Sequence, residues 1–216
     1  MVDQALLPAI RETIRQNEIG GQSPYLLSFA KLGKSGASFG FMQGDTNVSA
    51  LARTTLQQVL AAAGTDPGAI SRILEAVSRP LPGGNPLTSS DTDLVNAALN
   101  SEAGRPLVDA MDNTLFQVVL DGVDSCIRAG ATRGVEISPI AHLYIAPWVN
   151  MSGPPTLLCT WLKGSQVFGL PIPTPPWLTE ANMQAYLQAT AYFQAHPRNF
   201  VHLEECIAKG AALLPH

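Results

Sequence analysis

Apolar residues recur at helical spacing along most of the chain, beginning near the N-terminus. Leu7, Ile10 and Ile14 are separated by three and four positions and define one face of a helix. The glycine pair at 20–21 should end this helix. One further step of four beyond Ile14 puts Glu18 on the same face, so a carboxyl group ends an apolar stripe.

The pattern changes after this first helix. Two short apolar and aromatic runs, 25–32 and 37–42, flank the polar loop 33–36, an arrangement typical of a β-hairpin. For the first run, a helix over 24–32 that begins at Pro24 is the alternative, because proline suits the first turn of a helix.

From residue 45 onward the spacing is helical almost throughout, interrupted by the loop 80–90 and the proline-rich stretch 165–178. The predicted helices are 47–63, 66–79, 91–103, 107–129, 138–148, 179–195 and 198–213. We therefore predict a mainly α fold with a small β-hairpin. It should form a single domain over 1–216, with a candidate lobe boundary at about 80–90.

Composition narrows the class of protein. Hydrophobic residues make up 46% of the 216 residues and charged residues 14%, which is ample for a core and argues against global disorder. The net charge of −4 provides no basic stripe, so nucleic acid is not expected as a partner. No apolar stretch is long enough for a transmembrane helix, so no membrane span is expected.

The first residues lack the basic and apolar regions of a signal peptide. The compartment stays open: the protein is expected to be either cytoplasmic before release or exported by a route other than Sec. Neither the cysteines nor the histidines have the spacing of metal ligands, so no metal or cofactor is expected. We expect buried thiols and no disulfide framework. The residues considered are Cys126, Cys159, Cys206, His142, His196 and His202.

Residues 38–45 read SFGFMQGD and follow the helix that ends in Glu18. This combination resembles the goose-type lysozymes and lytic transglycosylases, in which a helix ending in Glu precedes a hairpin strand that typically reads GFGLMQVD. The resemblance covers about residues 6–60. The chain departs from the pattern at Ile19, where these families often carry Ser. Their late Tyr-Asn-Ala-Gly motif is also missing, and its nearest counterparts are residues 144–146 and Asn150.

The resemblance implies a lysozyme-like α+β fold whose helices surround a substrate groove. It also implies a glycoside hydrolase that cleaves a β-1,4-linked amino-sugar polymer, most simply peptidoglycan in the cell wall. Three alternatives stay open: a lytic transglycosylase on the same fold, a non-catalytic module that binds glycan or protein, and a chitin- or chitosan-degrading enzyme. Fold analogy alone does not choose among them.

Chemistry assigns roles to the two acidic residues of this region. Glycoside cleavage needs a carboxylic acid that is still protonated near neutral pH, and burial of Glu18 would raise its pKa. Asp45 is the next acidic residue along the chain and is the candidate base, across a gap of about 6.5–9.5 Å in an inverting enzyme. Capping of the following helix is the alternative role for Asp45. The candidate substrate-binding residues are Gln43, Tyr25, Tyr144, Trp148 and Asn150.

Overall fold

Helices make up most of the computed structural model, which describes residues 1–29 and 33–215. The predicted mainly α fold with a small β-sheet is confirmed. In chain order the helices are α1 (Leu7–Ile19), α2 (Ala50–Ala62), α3 (Pro67–Val77), α4 (Ser89–Leu99), α5 (Gly104–Ala131), α6 (Pro139–Ser152), α7 (Thr156–Leu162), α8 (Glu180–Gln188), α9 (Ala191–Ala195) and α10 (Pro197–Ala211). The strands are β1 (Ser28–Phe29), β2 (Ala37–Phe39), β3 (Gly44–Asp45), β4 (Glu136–Ile137) and β5 (Trp177–Leu178).

The chain divides into two compact units. The first contains Met1–Gly20 and Gln117–His216, and the second contains Gly21–Phe116. The loop at 80–90, our candidate lobe boundary, lies inside the second unit. One division falls at the glycine pair that follows α1, and the other falls within α5.

In the first unit, α1 packs on α10 and α6. Ile10 and Ile14 of the predicted stripe are fully buried, whereas Leu7 is half-buried. Gly210 of α10 lies against Thr13 so closely that no side chain would fit there, and this small residue lets α1 and α10 approach each other.

In the second unit, β1, β2 and β3 form an antiparallel sheet in that order, with Ser28 opposite Ser38 and Ser38 opposite Asp45. The predicted hairpin is therefore present, although residues 30–32 of its first run lie outside the described part of the chain. The second predicted strand, 37–42, was too long. It ends at Phe39 because the backbone turns at Gly40, whose φ is +80°.

Each predicted helix is present in the structure, with two differences in number. The predicted helix 179–195 is two helices, because the side chain of Thr190 accepts the amide N–H of Phe193 and so begins α9. The sequence reading also missed α7 and the short parallel pair of β4 and β5. Within the described residues, none of the helices has the length and apolar character needed to cross a membrane.

Candidate functional site

Glu18 lies in the last turn of α1, next to the buried Ile19. The helix ends at Gly20, which adopts a left-handed conformation with φ +57° and donates its N–H to the carbonyl of Gln16 over 3.0 Å. A glycine in this position is a common helix end. The local sequence therefore ends the helix at Ile19, directly after Glu18, which is itself half-buried.

Two asparagine side chains bind the Glu18 carboxyl group. The Nδ2 atom of Asn17 donates to Oε1 over 3.0 Å, and the Nδ2 atom of Asn150 in α6 donates to the same oxygen over 2.9 Å. Within the described residues, Oε2 has no hydrogen-bond partner in the protein. The structure thus brings together Glu18 and Asn150, which are 132 positions apart in sequence.

Burial raises the pKa of Glu18, and the hydrogen bonds from Asn17 and Asn150 oppose that rise. The end of α1 acts in the same direction as burial, because the C-terminal end of a helix carries partial negative charge. Glu18 therefore keeps its proton to a higher pH than an ordinary glutamic acid.

Glu12, which lies earlier in α1, has the opposite environment. Its carboxylate accepts hydrogen bonds from Arg15 at 2.8 Å and from Gln16 at 2.7 Å. The hydrogen bond from Arg15 is the main cause that lowers the pKa of Glu12. Lys209 of α10 in turn donates to Gln16 over 2.8 Å. One helix thus carries one carboxyl group held in the charged form and one shifted toward the neutral form.

The two aromatic candidates of α6 have different surroundings. Tyr144 is only 1% exposed; its hydroxyl donates to Glu180 over 2.9 Å and accepts from Gln184 over 3.0 Å. Trp148 is half-buried and borders a cavity of about 370 Å³. Trp148 and Asn150 are two residues apart, or about 200° around the helix axis. They therefore face different sides of α6.

The remaining candidates, Gln43, Asp45 and Tyr25, belong to the second unit. Gln43 lies in a turn with φ +50°, and not on the hairpin strand that the resemblance implies for residues 38–45. Its Oε1 atom accepts from the Ser28 hydroxyl over 2.7 Å, and its Nε2 atom donates to the Gly40 carbonyl over 3.0 Å. Both ends of this side chain therefore stabilise the hairpin.

Asp45 holds a loop together through one carboxylate oxygen. Its Oδ1 atom accepts the backbone N–H groups of Gly36 at 3.0 Å, Asn47 at 2.7 Å and Val48 at 3.4 Å. The alternative that Asp45 caps the following helix is wrong, because the cap of α2 is Ser49, whose side chain accepts from the amide of Ala52.

Tyr25 lies over the first turns of α5. Its hydroxyl donates to Asp109 over 2.9 Å, and the guanidinium of Arg105 lies 5.2 Å from the centre of its ring. Partial burial and the neighbouring Asp109 carboxylate raise the pKa of Tyr25. The phenol therefore stays protonated and connects the start of the hairpin to α5.

Sequence reasoning missed Asp112 of α5, which is 1% exposed. Its carboxylate accepts the N–H groups of Phe41 at 2.8 Å and Met42 at 3.1 Å, and so holds the turn of the SFGFMQGD segment. A side chain at Gly40 would collide with this carboxylate. A signal was available, because Asp112 lies four positions after the buried Val108 and so falls on the apolar face of α5.

Comparison with known proteins does not assign the chain to a class, since no family model, curated protein or solved structure matches it. Among residues 1–29 and 33–215, no group of three acidic, histidine or cysteine side chains is arranged to hold a metal ion. The site is therefore defined by its own geometry, with Glu18 and Asn150 at its centre.

Proposed function

We propose that this protein cleaves a β-1,4-linked amino-sugar polymer, most simply peptidoglycan, and that Glu18 is the general acid. The observation that carries the proposal is the half-buried Glu18 carboxyl group, whose pKa is raised by burial at the end of α1. The resemblance of Glu18 and the SFGFMQGD segment to lysozyme-type enzymes supports the same reaction.

The geometry around Glu18 suits proton donation. Both asparagine hydrogen bonds end on Oε1, so the acidic proton is expected on Oε2. From there it would pass to the glycosidic oxygen as the bond to the anomeric carbon breaks. Asn17 and Asn150 fix the orientation of the carboxyl group and stabilise the carboxylate that remains after the transfer.

The bonding of Asp45 favours a particular form of this reaction. A hydrolase of inverting type needs a second carboxylate to activate water. In Asp45, Oδ1 accepts three backbone N–H groups, so a structural role already accounts for this side chain. A lytic transglycosylase, in which a hydroxyl group of the sugar itself attacks the anomeric carbon, needs only Glu18. It is the second candidate, which the bonding of Asp45 favours, and hydrolysis is the first, which the resemblance implies.

The decisive experiment compares Glu18→Gln with the wild type on purified peptidoglycan. Gln keeps the shape and the acceptor oxygen but has no acidic proton, so we expect product formation to fall by about 10²–10⁴-fold. Glu102→Gln is the matched control, because Glu102 is exposed and lies outside the helices. Near-normal turnover by Glu18→Gln would exclude Glu18 as the acid.

The products separate the two candidate reactions. Hydrolysis leaves a reducing end on the cleaved glycan, whereas transglycosylation leaves an anhydro end. Mass spectrometry of the released fragments distinguishes these by one molecule of water. Binding without any release of fragments by the wild-type protein would instead favour a non-catalytic glycan-binding module.

A further inference from the structure

Two of the three cysteines meet in the first unit. Cys126 of α5 and Cys159 of α7 are 33 positions apart, yet their Sγ atoms lie 3.8 Å from each other. We expected buried thiols, and this holds for Cys126 and Cys206, whereas Cys159 is half-buried. The third cysteine, Cys206, is buried in α10, and its Sγ atom lies 3.6 Å from a nitrogen of His202.

The two thiols of the pair differ in access to solvent. Cys126 is completely buried, whereas Cys159 is half-buried on a short helix. The hydrogen bond from Cys126 lowers the pKa of Cys159 to about 7, and the positive charges of Lys163 and Arg128 act in the same direction. The thiolate is the reactive form of cysteine, so Cys159 is the more nucleophilic and the more accessible of the two.

We propose that Cys126 and Cys159 are a redox-modification site that forms an intramolecular disulfide on exposure to a hydroperoxide. The proposal does not depend on the proposed glycosidase activity. It rests on the contact between the Sγ atoms of Cys126 and Cys159.

The chemistry proceeds in two steps. The Cys159 thiolate attacks one oxygen of hydrogen peroxide, the O–O bond breaks, and the released hydroxide takes a proton to become water. The Cys126 sulfur then attacks the Cys159 sulfenic acid, the S–O bond breaks, and the Cys126 proton leaves with the hydroxide as a second water. Two thiols are oxidised by two electrons, and one peroxide is reduced to two waters.

The disulfide would fix α7 to α5 beside the cavity that Trp148 borders. Thr156 and Leu157 of α7 line that cavity, and so does Tyr186. The pKa of Tyr186 is raised chiefly by burial, and Cys126 and Cys159 add to the rise, as expected for a ring next to the pair. Oxidation would therefore hold one wall of the cavity in place.

The test treats the folded protein with hydrogen peroxide, blocks the remaining thiols and maps peptides without reduction. We expect a Cys126–Cys159 linked peptide, a fall from three to one in the thiols titrated after subsequent denaturation, and full reversal by a dithiol reductant. Closing a loop of 33 positions should raise the melting temperature of the oxidised protein by roughly 5–10 °C.

Matched variants complete the test. Cys206→Ser should leave the linked peptide unchanged, whereas Cys159→Ser should abolish it. Cys159→Ser is preferred to Cys126→Ser because Cys159 is only half-buried, so its replacement disturbs the core less. The wild-type peptide map tests the proposal even if a variant fails to fold. Three outcomes would overturn the proposal: sulfinic or sulfonic acid on Cys159 without a crosslink, a disulfide between two copies of the chain, or a Cys126–Cys159 disulfide that forms only after denaturation.

Discussion

Replacing Glu18 by Gln should make the protein more stable at neutral pH while it lowers the proposed cleavage activity by about 10²–10⁴-fold. Because its pKa is raised in the folded state, Glu18 keeps a proton at pH values where the unfolded chain has lost it. The folded state therefore loses stability as the pH rises from the ordinary value of 4.5 through the raised pKa. A neutral Gln removes this loss and still accepts the hydrogen bonds from Asn17 and Asn150 through its oxygen.

The helix end gives a lower bound for the size of the effect, because burial is the main cause of the raised pKa of Glu18 and adds to it. A negative charge in the last turn of a helix costs about 0.3–1 kcal/mol. Relief of that cost should raise the melting temperature of Glu18→Gln by roughly 1–4 °C near pH 8. Below the ordinary pKa of 4.5 both side chains are neutral, and the difference from the wild type should disappear.

Tryptophan fluorescence is the appropriate assay, because Trp148, Trp161 and Trp177 all belong to the first unit, which also contains α1. Glu12→Gln is the matched control in the same helix. The pKa of Glu12 is lowered, so its charge stabilises the fold above the ordinary pKa and loses this effect as the pH falls through the lowered value. Glu12→Gln should therefore lose about 0.2–1 kcal/mol at neutral pH. A stability difference between Glu18→Gln and the wild type that does not change with pH would refute the reasoning.

Three further changes test other parts of the molecule. Asn150→Ala removes a donor to the Glu18 carboxylate, so the pKa of Glu18 should rise further and the alkaline limb of the pH–activity profile should move to higher pH. Asp45→Asn keeps the oxygen that accepts the loop N–H groups, so we expect an unfolding free energy within about 1 kcal/mol of wild type. Retained cleavage by Asp45→Asn would support the transglycosylase, and loss of cleavage would identify a base. Gly40→Ala should destabilise the second unit by about 1–3 kcal/mol in urea denaturation, because Gly40 has φ +80° and its new Cβ would displace Asp112. An unchanged midpoint would contradict the tight contact described here.

Sequence patterns correctly predicted the features of the fold that depend on residues close together in sequence. The end of α1 at Gly20 and the position of Glu18 follow from helical spacing and from a glycine stop, and both were predicted correctly. Asn150 was selected as a sugar-binding residue, but its contact with Glu18 joins positions 132 residues apart and could not be derived from periodicity. For the same reason the meeting of Cys126 and Cys159 was not foreseen.

The hairpin shows a second limit of prediction from sequence, which concerns where a strand ends. The apolar and aromatic run predicted a strand as far as Met42, but such a run does not indicate where the backbone turns. That turn depends on Asp112, which accepts N–H groups that a longer strand would have given to a neighbour. Gln43 consequently lies in a left-handed turn instead of on a strand face.

The order of the two units along the chain also determines when α1 can pack against its neighbouring helices during synthesis. The second unit is one continuous stretch, Gly21–Phe116, so it can complete its own core as soon as that stretch has been made. α1 is made earlier but packs on α6 and α10, and Gln16 meets Lys209 across 193 positions. Closing so long a loop costs about 4–5 kcal/mol in chain entropy. The apolar face of α1 therefore stays incompletely covered during synthesis until both α6 and α10 have been made.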